Sequence, residues 1–213
     1  MHPEAPPANL AHHFPDLQVQ EHAARLGMWL FLATEILLFT VLFTAYAVYR
    51  YLFPVAFDEA SRLAHVAMGA TNTVVLITSS LTVALAIHYA RRGESRRTVA
   101  LLAVTIACGA IFMVLKGFEY HHHFVEGQLP GQYYAYAPLQ VPGVPMYFTV
   151  YFLMTGLHGL HVLIGMGVLA WIALRSARGE FTASYSTPVE LGGLYWHLVD
   201  LIWIFLFPLL YLV

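Results

Sequence analysis

Five stretches of the chain contain few or no charged side chains and are about long enough, or longer than needed, to cross a membrane. Residues 63–90, 98–115 and 127–174 contain no Asp, Glu, Lys or Arg, and residues 26–49 and 191–213 contain one acid each. A bilayer core is about 30 Å thick, and a helix rising about 1.5 Å per residue needs roughly 20 residues to cross it. The pattern therefore predicts five transmembrane helices, near 25–52, 66–91, 97–119, 146–174 and 190–212.

The fold class follows from the need of the backbone for hydrogen bonds inside lipid. Only helices and closed barrels meet that need, and these stretches lack the alternation of polar and apolar residues that is typical of membrane strands. We expect an all-α, polytopic membrane helix bundle over 25–213. A polar amino-terminal arm at 1–24 would precede it. An outer interfacial loop at 120–145, rich in proline, glycine and tyrosine, would interrupt it.

The composition agrees with a membrane protein and excludes several classes of function. Hydrophobic residues make up 59% of the chain and charged residues 10%, whereas soluble domains carry roughly 25% charged residues. The net charge of −2 offers no basic surface, so nucleic acid is not an expected partner. A single cysteine, Cys108, supports neither a disulfide framework nor a thiolate metal cluster.

Lysine and arginine are shared unequally between the two sides that five helices create. One side would carry seven of these residues, four of them in the short link 91–97, and the other side would carry three. The positive-inside rule then predicts a cytoplasmic amino terminus and an outer carboxyl terminus.

Glu35 is the only Asp, Glu, Lys or Arg between Arg25 and Arg50, and it lies about ten residues into the first predicted helix. A carboxyl group near the middle of a bilayer is costly and is a candidate functional site by default. We expect it to be protonated unless a cation or water reaches it. Two interpretations stay open: a role tied to proton movement, and a neutral acid that is hydrogen-bonded to a neighbouring helix.

Lys116 and Glu119 lie three residues apart at the outer end of the third predicted helix. That spacing places them on one face, where an ion pair can form. A structural pair is favoured over a catalytic one. The run His121-His122-His123 follows at the water interface, where a solvated or hydrogen-bonded cluster is favoured over a metal site.

The last two predicted helices carry two further pairs at the same spacing. His158 and His161 share one face, close to Gly159, which would let another backbone approach. His197 and Asp200 share a face of the last helix. Hydrogen bonding between helices is the favoured interpretation, and a metal or haem site and a proton relay remain as alternatives. With no further histidine motifs and no phosphate-binding glycine loop, we predict no catalytic, cofactor or metal residues in this chain.

Several runs of the sequence together resemble subunit III of haem-copper oxidases, the cytochrome c oxidase subunit 3 family. They occur in order across all five predicted helices and cover roughly residues 25–213. The runs are GMWLFLATE at 27–35, Asn72-Thr73 with Ser79-Ser80, KGFEY at 116–120, TGLHGLHV at 155–162 and YWHLVD at 195–200.

The resemblance implies an accessory subunit that binds no metal or haem, packs against subunit I and accompanies subunit II, with the haems and copper in those partners. In the family, this subunit supports proton uptake, protects the enzyme during turnover and binds phospholipids in a cleft. Glu35 falls on the glutamate of the family that reacts with carbodiimide. The histidine and acid positions of the last two family helices fall on His158, His161, Glu190, His197 and Asp200.

The sequence departs from the longer family members in two ways. Those members have two helices before the one that carries the glutamate, so this chain resembles the short, five-helix bacterial form. The resemblance then implies the bacterial cytoplasmic membrane and a subunit I with extra carboxy-terminal helices. Secondly, residues 185–188 read YSTP where the family often has paired histidines before the position of Glu190.

Three functions are compatible with these observations. The favoured one is the accessory subunit of a proton-translocating cytochrome c oxidase in aerobic respiration. A subunit associated with nitric oxide reductase is the alternative within the family. The third is a membrane metalloenzyme that uses His158, His161 and His197, which requires these side chains to converge.

Overall fold

Five long helices and one short one follow each other in this computed structural model, which describes residues 10–183 and 185–212. Each long helix is long and apolar enough to span a membrane. The prediction of an all-α bundle with five membrane helices is therefore confirmed. In chain order the helices are α1 (Leu17–Leu52), α2 (Pro54–Ser61), α3 (Val66–Ala90), α4 (Ser95–Val125), α5 (Val144–Ala177) and α6 (Thr187–Tyr211).

The first helix begins at Leu17 and not near residue 25. The Asp16 carboxylate accepts a hydrogen bond of 2.8 Å from the Val19 amide and so caps the helix. Residues 17–24, which the sequence assigned to the polar arm, are therefore helical. Residues 1–9 of that arm lie outside the described residues.

The fourth helix continues beyond the predicted end at residue 119. Between residues 118 and 126 no glycine or proline interrupts it, and the chain leaves the helix at Gly127, whose φ of +76° suits a residue without a side chain. The three histidines at 121–123 are thus helical and do not lie in the interfacial loop. That loop is correspondingly shorter and contains one 3₁₀ turn at Gly131–Tyr133.

The short helix α2 lies outside the predicted spans. Pro54 occupies its first turn, where a missing amide hydrogen is harmless. Phe57 and Ala60 are buried, whereas Arg62 forms an exposed ion pair with Asp58. The segment is amphipathic and short, so a search for long apolar stretches does not detect it.

Helices α3, α4, α5 and α6 pack in a closed ring, and α1 lies outside this ring against α5 and α6. The indoles of Trp196 and Trp203 are fully buried inside the ring. On α1, Phe39 is buried, but Leu37 and Val41 on other faces are 65% and 67% exposed. The first helix is therefore the least buried of the five spans.

Candidate functional site: polar contacts inside the helix bundle

Glu35 contacts His161 across the boundary between α1 and α5. Glu35 Oε2 lies 2.8 Å from His161 Nε2, and both side chains are largely buried, with 15% and 11% of their surface exposed. His161 Nδ1 lies 2.8 Å from the Leu157 carbonyl oxygen, which only accepts hydrogen bonds. Nδ1 therefore carries a hydrogen, and one further proton is shared between Glu35 and Nε2. The pair is either a neutral acid with a neutral imidazole or a carboxylate with an imidazolium.

Lys116 and Glu119 form the ion pair that their spacing predicts, and two tyrosines complete it. Lys116 Nζ lies 3.0 Å from Glu119 Oε2 and donates to Tyr211 at 2.8 Å and to Tyr151 at 3.1 Å. Both tyrosine hydroxyls donate to Glu119 Oε1 at 2.7 Å. The four side chains are buried. This cluster joins α4, α5 and α6 near one end of the bundle.

The two tyrosines of this cluster were missed in the sequence. Tyr151 lies seven residues before His158, a spacing that places both on one face of α5. This spacing by itself indicates that Tyr151 lies on the same face of α5 as His158. Tyr211 carried no such signal, because its contact depends on how the end of α6 meets α4.

Glu190 lies at the opposite end of the bundle between two arginines. Arg91 Nε donates to one carboxylate oxygen at 2.9 Å, and Arg25 donates to the other at 3.2 Å. Ser186 Oγ also donates to the first oxygen, at 3.0 Å. The neighbouring carboxylate raises the pKa of the Arg91 guanidinium, so this partner stays charged. The arrangement links the ends of α1, α3 and α6, and the sequence had suggested neither arginine as a partner.

His197 and Asp200 face α3. Ser80 Oγ lies 2.7 Å from His197 Nδ1, and Ser79 Oγ makes a long hydrogen bond of 3.4 Å to Asp200 Oδ2. Trp196 Nε1 donates to the same Ser79 oxygen at 2.9 Å. In the sequence the two serines were noted only as part of a family motif. The structure makes them the polar neighbours of the last helix.

His158 does not take part in the predicted hydrogen-bond network. Neither of its ring nitrogens has a hydrogen-bond partner among the described residues, although the side chain is fully buried. Its ring packs between Phe112 and Trp203, with ring centres 5.5 and 5.3 Å away. The expectation of a hydrogen bond was wrong because aromatic side chains of α4 and α6 fill the space around this imidazole. Its place in helix packing stands.

Gly159 does not admit a neighbouring backbone. A Cβ atom built there would lie 3.8 Å from the end of the Met113 side chain, an ordinary contact distance. On α4 and α5, close approaches occur at Gly109 and Gly165, where a Cβ would lie 2.9 Å from the Trp196 indole. The small residues of α4 and α5 therefore make room for a large side chain of α6 and not for another helix backbone.

The histidines do not converge on a metal site. Within residues 10–183 and 185–212, no three His, Cys, Asp or Glu side chains are grouped as metal ligands. His158, His161 and His197 each have different neighbours, as described above. Of the three consecutive histidines, His123 places Nδ1 2.5 Å from Gln128 Oε1, and the His122 ring packs against His65. The arrangement that the metalloenzyme interpretation requires is therefore not formed by the described side chains.

Comparison with known proteins assigns the chain to a family. The sequence matches cytochrome c oxidase subunit III over residues 10–213. The chain belongs to this family. Cytochrome c oxidase subunit 3 of Oncorhynchus mykiss is 32% identical over 207 residues, which cover 94% of this chain and 72% of the relative. The same protein of Gadus morhua has the same identity and coverage. Quinol oxidase subunit 3 of Bacillus spizizenii is 33% identical over 189 residues, covering 88% of this chain and 85% of the relative.

Membership in the subunit III family makes the chain a multi-pass membrane subunit of a respiratory haem-copper oxidase. Such a subunit works in a complex, so partner subunits are implied. The Glu35–His161 pair and the ion pair of Lys116 with Glu119 are then features of a bundle that assembles with other membrane proteins.

Proposed function

We propose that the chain is the accessory, cofactor-free subunit III of a proton-translocating cytochrome c oxidase in the bacterial cytoplasmic membrane. The observation that carries this proposal is that several ionisable side chains of the membrane helices bind other side chains of the same protein. Glu35 binds His161, Lys116 binds Glu119, and Glu190 binds two arginines. The contacts of Glu35 and Glu190 hold helices to each other, and Tyr151 and Tyr211 join the pair on α4 to α5 and α6. A scaffold subunit needs such contacts, whereas a catalytic site needs polar groups that are available to a substrate or a haem.

The partner surface in this proposal is the outer face of α1. Large apolar side chains cover it, among them Trp29, Leu37 and Val41. In the longer members of the family two more helices precede the glutamate-bearing helix. We infer that helices of subunit I occupy that place, with subunit II in the same complex. The haems and copper of the enzyme belong to those two partners.

Phospholipid binding is supported by a groove between α1 and α6. A cavity of about 760 Å³ lies there, lined by aromatic and aliphatic side chains such as Phe39, Phe43 and Phe205. Arg50 and Tyr46 line one end of the same cavity, and Arg50 donates to the tyrosine hydroxyl at 3.3 Å. An acyl chain fits the apolar part, and a lipid phosphate near Arg50 would meet a guanidinium.

The proton-related part of the proposal rests on Glu35. Its side chain lies near the middle of the longest helix and shares one proton with His161, as derived above. We propose that this pair supports proton uptake by the complex and its survival during turnover, and that it does so without transferring protons to a substrate held by this chain.

The electron donor separates two versions of the proposal. Relatives named for cytochrome c oxidase and for quinol oxidase match at similar identity, so a quinol-oxidising complex is the second candidate. The purified complex decides between them by its activity with reduced cytochrome c or with a quinol. A complex that reduces nitric oxide, with little activity toward oxygen, would instead favour the reductase alternative.

The function in turnover is tested with the complex prepared with and without this chain. We expect both preparations to start at similar rates, and the preparation without the chain to lose activity after fewer turnovers. A complex that lacks the chain yet keeps its rate and lifetime would contradict the proposed role. Restoring the lifetime with the added chain is the control for damage during preparation.

A further inference from the structure

Asp200 and Glu119 are both almost fully buried in the membrane helices, but they differ in their partners. Among the described residues, Glu119 and Asp200 are the acids with less than a tenth of their surface exposed, at 0% and 4%. Glu119 is paired with Lys116, whereas no Lys, Arg or His in the described chain forms an ion pair with Asp200. Asp200 lies about 20 Å along α6, close to its midpoint. A bare carboxylate at that depth is strongly disfavoured.

The hydrogen bonds of the protein leave one oxygen of this carboxyl group unpaired. The Ser79 hydroxyl hydrogen has a closer acceptor, the Leu76 carbonyl oxygen at 2.7 Å, than Asp200 Oδ2 at 3.4 Å. Ser80 is engaged with His197. Asp200 Oδ1 is buried and has no hydrogen-bond partner in the described part of the chain. Buried polar atoms of this kind are normally satisfied, often by an ordered water.

A cavity adjoins the side chain of Asp200. It lies between α3 and α6, has a volume of about 270 Å³, and is lined by Asp200, His197, Ser80 and Thr73 together with apolar side chains. A water molecule takes up about 30 Å³ in the liquid and needs two or more polar partners. The cavity has room for several waters, and its polar lining supplies such partners. Ile77, which also lines it, is 53% exposed, so the cavity reaches the outer face of the bundle at a depth where lipid surrounds the helices.

We propose that this cavity is a hydrated site in which Asp200 is a neutral carboxylic acid that is hydrogen-bonded to water held in the cavity. This inference adds a second acidic site to the Glu35–His161 pair and does not depend on the turnover role proposed above. Its ligand is water.

The surroundings of Asp200 provide no fixed positive charge. On α6 the nearest titratable neighbour is His197, and α3 presents the hydroxyls of Ser79 and Ser80. On α4, Cys108 lies within electrostatic range of the carboxyl group. On α5, His158 is separated from the cavity by the Trp203 ring, which lines it. None of these groups is a lysine or an arginine. A proton on the Asp200 carboxyl group therefore accounts for its neutralisation without a cationic side chain from any neighbouring helix.

Infrared spectroscopy of the intact purified complex tests the proposal. We expect a C=O stretching band of a protonated carboxyl group that is absent in Asp200→Asn and retained in Glu35→Gln, which is the matched control. After incubation in D₂O this band should shift, because the proton of the acid exchanges with the water in the cavity. The proposal is overturned if Asp200→Asn removes no such band, which would mean an ionised carboxylate with a bound cation. It is also overturned if the band keeps its H₂O position in D₂O, which would mean a dry site.

A second measurement needs no variant and covers the case in which Asp200→Asn does not assemble. A density map of the wild-type complex, at a resolution that shows ordered water, should contain a water within hydrogen-bond distance of the Asp200 carboxyl group. A cavity filled by a lipid tail or by an apolar side chain of a partner would contradict the proposal.

Discussion

Glu35 on α1 contacts His161 on α5 within the four-helix ring, with 2.8 Å between Oε2 and Nε2. Arg25 with Glu190 and the Tyr46 hydroxyl with the Leu209 carbonyl oxygen also join α1 to the ring, although most of the surface of α1 is exposed. Since the Leu157 carbonyl fixes the hydrogen on Nδ1 of the imidazole, the contact contains one proton between Oε2 and Nε2. The middle of the first helix is thus held to the ring by a hydrogen bond between two largely buried ionisable side chains.

Replacing Glu35 with glutamine should preserve this contact. The amide group donates to His161 Nε2, as the neutral acid does, so we expect the stability of the assembled complex to change by less than about 1 kcal/mol. Glu35→Leu leaves the imidazole unpaired and should cost about 1–3 kcal/mol. Thermal unfolding of the purified complex compares the two, with Thr40→Ala as a control on the same helix, where the hydroxyl bonds only within α1. Equal losses for Gln and Leu would contradict the hydrogen-bond interpretation.

Breaking the buried ion pair from one side should be the most damaging single change. Lys116→Met leaves the charge of Glu119 buried with only tyrosine donors, and we expect a loss of about 3–5 kcal/mol of stability. Adding Glu119→Gln in the same chain removes the uncompensated charge and should recover most of that loss. Denaturation in detergent measures both.

The control for the ion pair is Arg62→Ala in α2. That arginine pairs with Asp58 at 2.9 Å, but both side chains are more than half exposed, so the expected loss is below about 1 kcal/mol. If Lys116→Met were no worse than this control, the buried cluster would contribute little to stability.

Adding one methyl group at Gly165 should destabilise the bundle. The new Cβ would lie 2.9 Å from the Trp196 indole, which is fully buried and donates a hydrogen bond to Ser79. Overpacking of this kind costs about 1–3 kcal/mol. Gly159→Ala is the matched control, because its Cβ would be 3.8 Å from Met113, and alanine favours helix. A Gly165→Ala protein that melts with the wild type would show that Trp196 is less tightly held than the structure indicates.

Neutralising Glu190 should weaken its end of the bundle in a salt-dependent manner. Its two arginine partners are 48% and 62% exposed, so Glu190→Gln is expected to cost only about 1 kcal/mol. High salt should lower the stability of the wild type toward that of the variant, since salt screens exposed charges. Glu94→Gln removes a pair with Arg97 within a single helical turn and should change less. A loss that is independent of salt would argue against the electrostatic origin of this contact.

The sequence predicts the membrane helices well because a long stretch without charge is typical of a helix that crosses lipid. It also predicts the pair of Lys116 with Glu119, since residues three apart on one helix share a face. It does not predict that Glu35 meets His161, because that contact depends on the rotation of α1 and α5 about their axes. The arginine partners of Glu190 and the aromatic packing of His158 depend in the same way on which helices are neighbours.

The sequence also predicts the ends of the helices less accurately than their existence. Hydropathy places them where charged residues begin, whereas the structure ends helices where caps and glycines stop them, as at Asp16 and Gly127. The polar first turns of α1 and the histidine-rich end of α4 are helical for that reason.

Purification of the tagged chain from its native membrane in mild detergent tests the central claim most directly. Mass spectrometry identifies the proteins that accompany it, and an optical spectrum reports haem. We predict co-purification of oxidase subunits I and II in equal amounts with the chain, together with a haem spectrum and oxygen reduction by the complex. A chain that purifies alone and carries its own stoichiometric metal would contradict the account.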